Sequence, residues 1–189
     1  MCWDRTPADA IDQARAYWQS GHQLHAGCIL YERVPRELRP VWAASVLAAA
    51  CRHIPMVPEI EAVLTFARNP NEWGDGAESK CAEAHGFFNA VRARTLQCEN
   101  RNRLYKSILV LAENVAKVTY NVYGYPAPFD HDAGWRIAQN LSCVVAAVND
   151  AEFAAEAWSI LSSKEYVRLT APVVCNLHCK CNIWDRNDG

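Results

Sequence analysis

No stretch of this sequence is apolar for long enough to cross a bilayer: the longest, Val41 to Cys51, falls far short of the roughly 20 residues that span one. Neither sign of charge dominates, since 19 basic residues meet 21 acidic ones for a formal charge of -2. That balance supplies no global field to draw in nucleic acid or an anionic membrane, so neither is an expected partner. Met1 to Ala10 carries Asp4, Arg5 and Asp9 with no apolar run, which argues against a secretory signal. Glycine (8 residues) and proline (9) are sparse, and 51% of residues are hydrophobic against 21% charged, a balance that excludes disordered and fibrous chains. No Gly-rich phosphate loop, Ser-centred elbow or His-Glu-x-x-His helix occurs.

What is present points to one helical domain. A chain of 189 residues can bury roughly 70% of the surface its unfolded form exposes, enough for a core without staples. Cysteine is plentiful but odd in number, nine in all, scattered at Cys2, Cys28, Cys51, Cys81, Cys98 and Cys143 before a cluster near the C-terminus. An odd, scattered set is a poor disulfide framework and predicts reduced thiols packed as small hydrophobes, in a cytoplasmic protein.

Helix signals follow one another along the chain. Thr6-Pro7-Ala8-Asp9 reads as a start, and Ile11, Ala14, Tyr17 and Trp18 form one stripe that Gly21 ends. A second helix carries Leu24, Cys28 and Tyr31 before Pro35, and Pro40 opens a third, apolar almost all round and therefore central. Pro58 starts a fourth, ended by Asn69-Pro70, with Asn71 to Gly76 a loop by composition. The two longest helices follow, over 77–97 and 104–123, the second with Leu104, Ile108, Leu111, Val115, Val118 and Val122 at helical spacing. After Gly124-Tyr125-Pro126-Ala127-Pro128, a rigid connector, helices resume over 131–148 and 151–161, the last capped by Asp150. The expected core includes Trp42, Val46, Leu47, Phe88, Leu111, Val115, Phe153 and Ile160.

From Tyr166 to Cys175 the β-branched content rises, which reads as extended chain laid against the bundle. Tyr17, Ala26 and Pro35 resemble part of a tetratricopeptide unit, but no second copy follows at a period of about 34 residues. The expectation is therefore an all-α fold: an irregular bundle of about six to eight helices over 1–165 built from antiparallel hairpins, and an extended Cys-rich tail over 166–189.

Five groups of residues carry candidate chemistry. In the tail, Cys175, His178, Cys179 and Cys181 place four soft ligands in one short segment, a set that would hold zinc through a very tight turn. Cys81 and His85, at i and i+4, share a helix face, where a core cysteine beside a hydrogen-bonded histidine is the plainer reading. The adjacent His131-Asp132 resembles the His-Asp pair of the all-helical HD-type metal-dependent phosphohydrolases. That resemblance covers one dipeptide and implies an upstream ligand such as His53 or His85 and a distant one such as Asp150 or Asp185. The same residues also read as a helix start, with Asp130 as the cap and Asp132 in the first turn.

Arg92, Arg94, Arg101, Arg103 and Lys106 make the one dense basic run. Phased on a continuous helix at about 100° per residue, Arg92, Arg103 and Lys106 fall on one side and Arg94 and Arg101 nearly opposite, which favours a solvated surface over a phosphate site. Tyr120, Tyr123, Tyr125, Phe129 and Trp135 crowd around the connector. Aromatic rings with polar tips on a stiff segment suit a partner surface, so the expected function is a protein interaction or scaffold module that contacts a protein through Tyr123, Tyr125, Phe129 and Trp135. An HD-type hydrolase around His131 and Asp132 and a bundle with a metal-binding tail are the alternatives.

Overall fold

The computed structural model describes residues 7–69, 77–98, 102–124, 130–163 and 166–167. These form eight α-helices and no strand: α1 (Pro7–Gln19), α2 (Gln23–Arg33), α3 (Arg39–Ala50), α4 (Pro58–Arg68), α5 (Ala77–Gln97), α6 (Arg103–Gly124), α7 (Asp130–Val148) and α8 (Ala151–Leu161). Short 3₁₀ turns precede α3 at Arg36–Leu38 and follow it at Cys51–His53. The all-α bundle expected from the periodicity is what the chain forms.

Local chemistry sets the boundaries. Gly21, at φ +82°, closes α1: its N–H donates to Trp18 O and the His22 N–H reaches back to Tyr17 O at 2.8 Å. This paired pattern satisfies the last carbonyls of the helix and needs a left-handed residue that glycine supplies without strain. Asp150 accepts a hydrogen bond from the Glu152 N–H at 2.9 Å and so caps α8 as its spacing predicts. Asn102 does the same for α6, through the Tyr105 N–H.

Packing centres on α6, which is flanked by α3, α4, α5 and α7. Its Ile108, Leu111, Val115 and Val118 are fully buried. Thr119, also on that buried face, donates its hydroxyl to Val115 O one turn earlier and is satisfied there, whereas the buried indole N–H of Trp42 has no acceptor among the described residues. Trp42, Val46 and Leu47 of α3 and Phe153 of α8 are buried as predicted. Phe88 and Ile160 are only half-buried. Phe88 instead presents its ring to two cations, with the Lys117 ammonium 4.9 Å and the Arg92 guanidinium 5.7 Å from its centroid. Helix α8 buries Phe153, Ala157 and Leu161, one turn apart, and this phase leaves Ile160 at the margin.

Two long-range ties join the ends of the bundle. Trp18 on α1 donates its indole N–H to Ala154 O on α8 at 3.2 Å. Tyr166 donates its hydroxyl to Leu30 O at 3.0 Å, a carbonyl in the last turn of α2 that the Val34 N–H leaves for Tyr31 O. Tyr166 is buried, and that burial pushes its phenol pKa well above the usual range. The extended reading of 166–175 therefore fails at its first residues: the Val167 N–H bonds Ser163 O, one helical turn back, and the ring of Tyr166 enters the core. Residues 168–175 lie outside the described set. Replacing Tyr166 by Phe should lower stability by about 1–3 kcal/mol, since it strands a buried carbonyl while keeping the ring; urea titration of the two proteins measures it.

Candidate functional site

A concave surface beside the core runs between α4 and α5. Helix α4 buries Ile60, Val63, Leu64 and Ala67 in the main core. Phe66 lies about 110° around the helix from that stripe and so points elsewhere. It meets Phe87 of α5, ring centroids 5.0 Å apart and planes at 54°, over a fully buried Ala84. Above this small satellite core opens a groove of about 470 Å³, lined on α4 by Pro58, Glu61, Ala62, Thr65, Phe66 and Asn69 and on α5 by Glu83 and Phe87.

The lining residues have an order that follows from helical phase. Pro58, Glu61, Ala62, Thr65 and Asn69 recur every third or fourth residue, so α4 carries a second face in addition to its core stripe. Among the described residues, the charged lining of the groove is Glu61 and Glu83, both carboxylates. Beside them Glu59 gives Oε1 to the Arg94 guanidinium at 3.1 Å, and Arg94 also donates Nε–H to the Tyr105 hydroxyl at 2.9 Å. Glu59 Oε2 is buried and has no hydrogen-bond donor among the described residues. The groove thus has an apolar floor and an acidic rim.

The sites expected from the sequence fare unevenly. Of the four connector residues, Trp135 lies on α7 and is 46% exposed. Tyr123 stands in the last turn of α6, and Tyr125 and Phe129 lie outside the described residues. His131 and Asp132 fall in the first turn of α7, which itself begins at Asp130. Asp150, one of the distant ligands the HD resemblance would need, spends its carboxylate on the cap of α8. His85 is exposed, its Nδ1 paired with the Asn89 amide at 3.2 Å and its ring stacked on Phe88. Cys175, His178, Cys179 and Cys181 lie outside the described residues, and among those described no three His, Cys, Asp or Glu side chains are grouped to hold a metal.

The thiols divide by environment. Burial pushes the Cys51 thiol up to about 12, outweighing the nearby Arg68, and burial with Glu32 raises that of Cys28. Neither is a nucleophile near neutral pH. Cys143 departs from the expected buried packing and is exposed on α7.

No family model, curated protein or solved structure matches the chain.

Proposed function

We propose that this chain is a protein-binding helical module and that the α4/α5 groove receives an amphipathic, basic-flanked segment of a partner protein. One observation carries the reading: a groove with the paired rings of Phe66 and Phe87 at its floor and, among the described residues, the carboxylates of Glu61 and Glu83 as its charged lining. Apolar anchors at i and i+4 on a docked helix suit such a floor, and lysine or arginine beside them suits the rim. The exposed Trp135 supports a second contact on α7, at the connector end.

The test uses a fluorescent amphipathic peptide with two leucine anchors and flanking lysines, followed by anisotropy. Binding should saturate in the micromolar range, and Glu61→Lys with Glu83→Lys should weaken it about tenfold or more, equivalent to about 1.4 kcal/mol. Both positions are exposed, so the fold should persist, as circular dichroism will report. Absence of binding, or binding indifferent to the reversal, would remove the proposal. Concentration-dependent self-association that the same reversal abolishes would assign the groove to a second copy of the chain and overturn the partner reading.

A further inference from the structure

The basic run over 92–106 is not phased as one helix, because α5 ends at Gln97 and α6 begins at Arg103. The interruption sends its members to different tasks. Arg94 turns inward to Tyr105 and Glu59, and Arg92 lies over Phe88. Arg103 and Lys106 instead face α7. With Ser107 and Val110 they occupy i, i+3, i+4 and i+7 on α6, opposite Asn140 and Cys143 on α7, and together these six residues line a groove of about 480 Å³.

That volume falls in the range of small-molecule sites. Among the described residues its polar lining consists of a guanidinium, an ammonium, a hydroxyl, a carboxamide and a thiol. A forked guanidinium and a point-charge ammonium one helical turn apart suit the terminal oxygens of a phosphate, and a hydroxyl next to them adds a further donor. The Asn140 amide is held by donation from Nδ2 to Arg136 O at 2.8 Å, which fixes its place on the wall. The first turn of α6 lies at the same end, so its dipole adds to the positive potential there. Val110 and the methylenes of Lys106 provide an apolar stretch beside the cations, enough for a small organic group.

We propose that the α6/α7 groove is a binding site for a small phosphate monoester, its phosphate held by Arg103, Lys106 and Ser107 and its organic part lying along Val110 toward Cys143. The site is separate from the α4/α5 groove and does not depend on the reading given to it.

Cys143 supplies the measurement. Its alkylation by iodoacetamide, followed peptide by peptide by mass spectrometry, is run in chloride, in inorganic phosphate and in phenyl phosphate at matched ionic strength. Phenyl phosphate at about ten times its dissociation constant should slow labelling of Cys143 about tenfold and leave Cys98 unaffected. Arg103→Ala and Lys106→Ala should each abolish the protection, and Lys106→Arg should retain most of it. Equal protection by inorganic phosphate would support the phosphate chemistry and make the free ion the occupant. Labelling unchanged by either probe would overturn the site, as would protection that survives both alanine substitutions in proteins of native circular dichroism.

Discussion

Leu111→Ala should lower the free energy of unfolding by about 2–5 kcal/mol, among the largest effects expected of any single truncation in this chain. Leu111 has no exposed surface and lies at the middle of α6, the helix that α3, α4, α5 and α7 enclose. Truncation there removes transfer energy and leaves a cavity at the middle of a helix that four others enclose. The walls have little room to relax, so the cost belongs in the upper part of the range. Urea titration should show a lowered midpoint with an unchanged slope, the mark of lost stability without a change in the surface exposed. Leu96, 78% exposed near the end of α5, is the control: its replacement by alanine should move stability by less than about 0.5 kcal/mol.

Gly27→Ala is the second. A β-carbon built at Gly27 would stand 2.7 Å from the β-carbon and 3.2 Å from the α-carbon of Ala138, where α2 crosses α7. Both obstructing atoms are anchored to backbone, so relief requires the helices to part. Alanine gains about 1 kcal/mol in helix propensity over glycine, but overpacking a close crossing costs about 1–3 kcal/mol. With no flexible side chain to yield, the clash should win, and the net effect should be destabilising. Ala138→Gly alone should also destabilise, through propensity. Together the two substitutions should be less damaging than their sum, with a coupling of about 0.5–3 kcal/mol in a double-mutant cycle. Additive effects would mean that the crossing has room the geometry does not show.

The helices were largely legible because their signals are local. Gly21 ends α1, Pro58 starts α4 and Asp150 caps α8 by bonds that span two to five residues, all within reach of a sequence pattern. What escaped depends on partners distant in the chain. Phe66 looks incidental on α4, since it falls outside the apolar stripe, and only its meeting with Phe87 gives it a purpose. Its offset from that stripe was the available signal. Tyr166 precedes a β-branched stretch that argues for extended chain, but its hydroxyl answers a carbonyl 136 residues earlier. Arg92 and Arg94 were phased with Arg103 and Lys106 as if on one helix, and the end of α5 at Gln97 puts the two pairs on different helices.

The bonds from Trp18 to Ala154 and from Tyr166 to Leu30 each span 136 residues, and α2 packs extensively on α7. During synthesis, then, the α1/α2 hairpin emerges long before the surfaces that cover it. It must wait with Leu30 and Trp18 uncovered until most of the chain has been made. Contacts of such sequence separation slow folding relative to a bundle in which each helix meets only its neighbours. The interval is one in which a chaperone has something to hold, and the completed molecule closes only when its last described helical turn, at Tyr166, arrives.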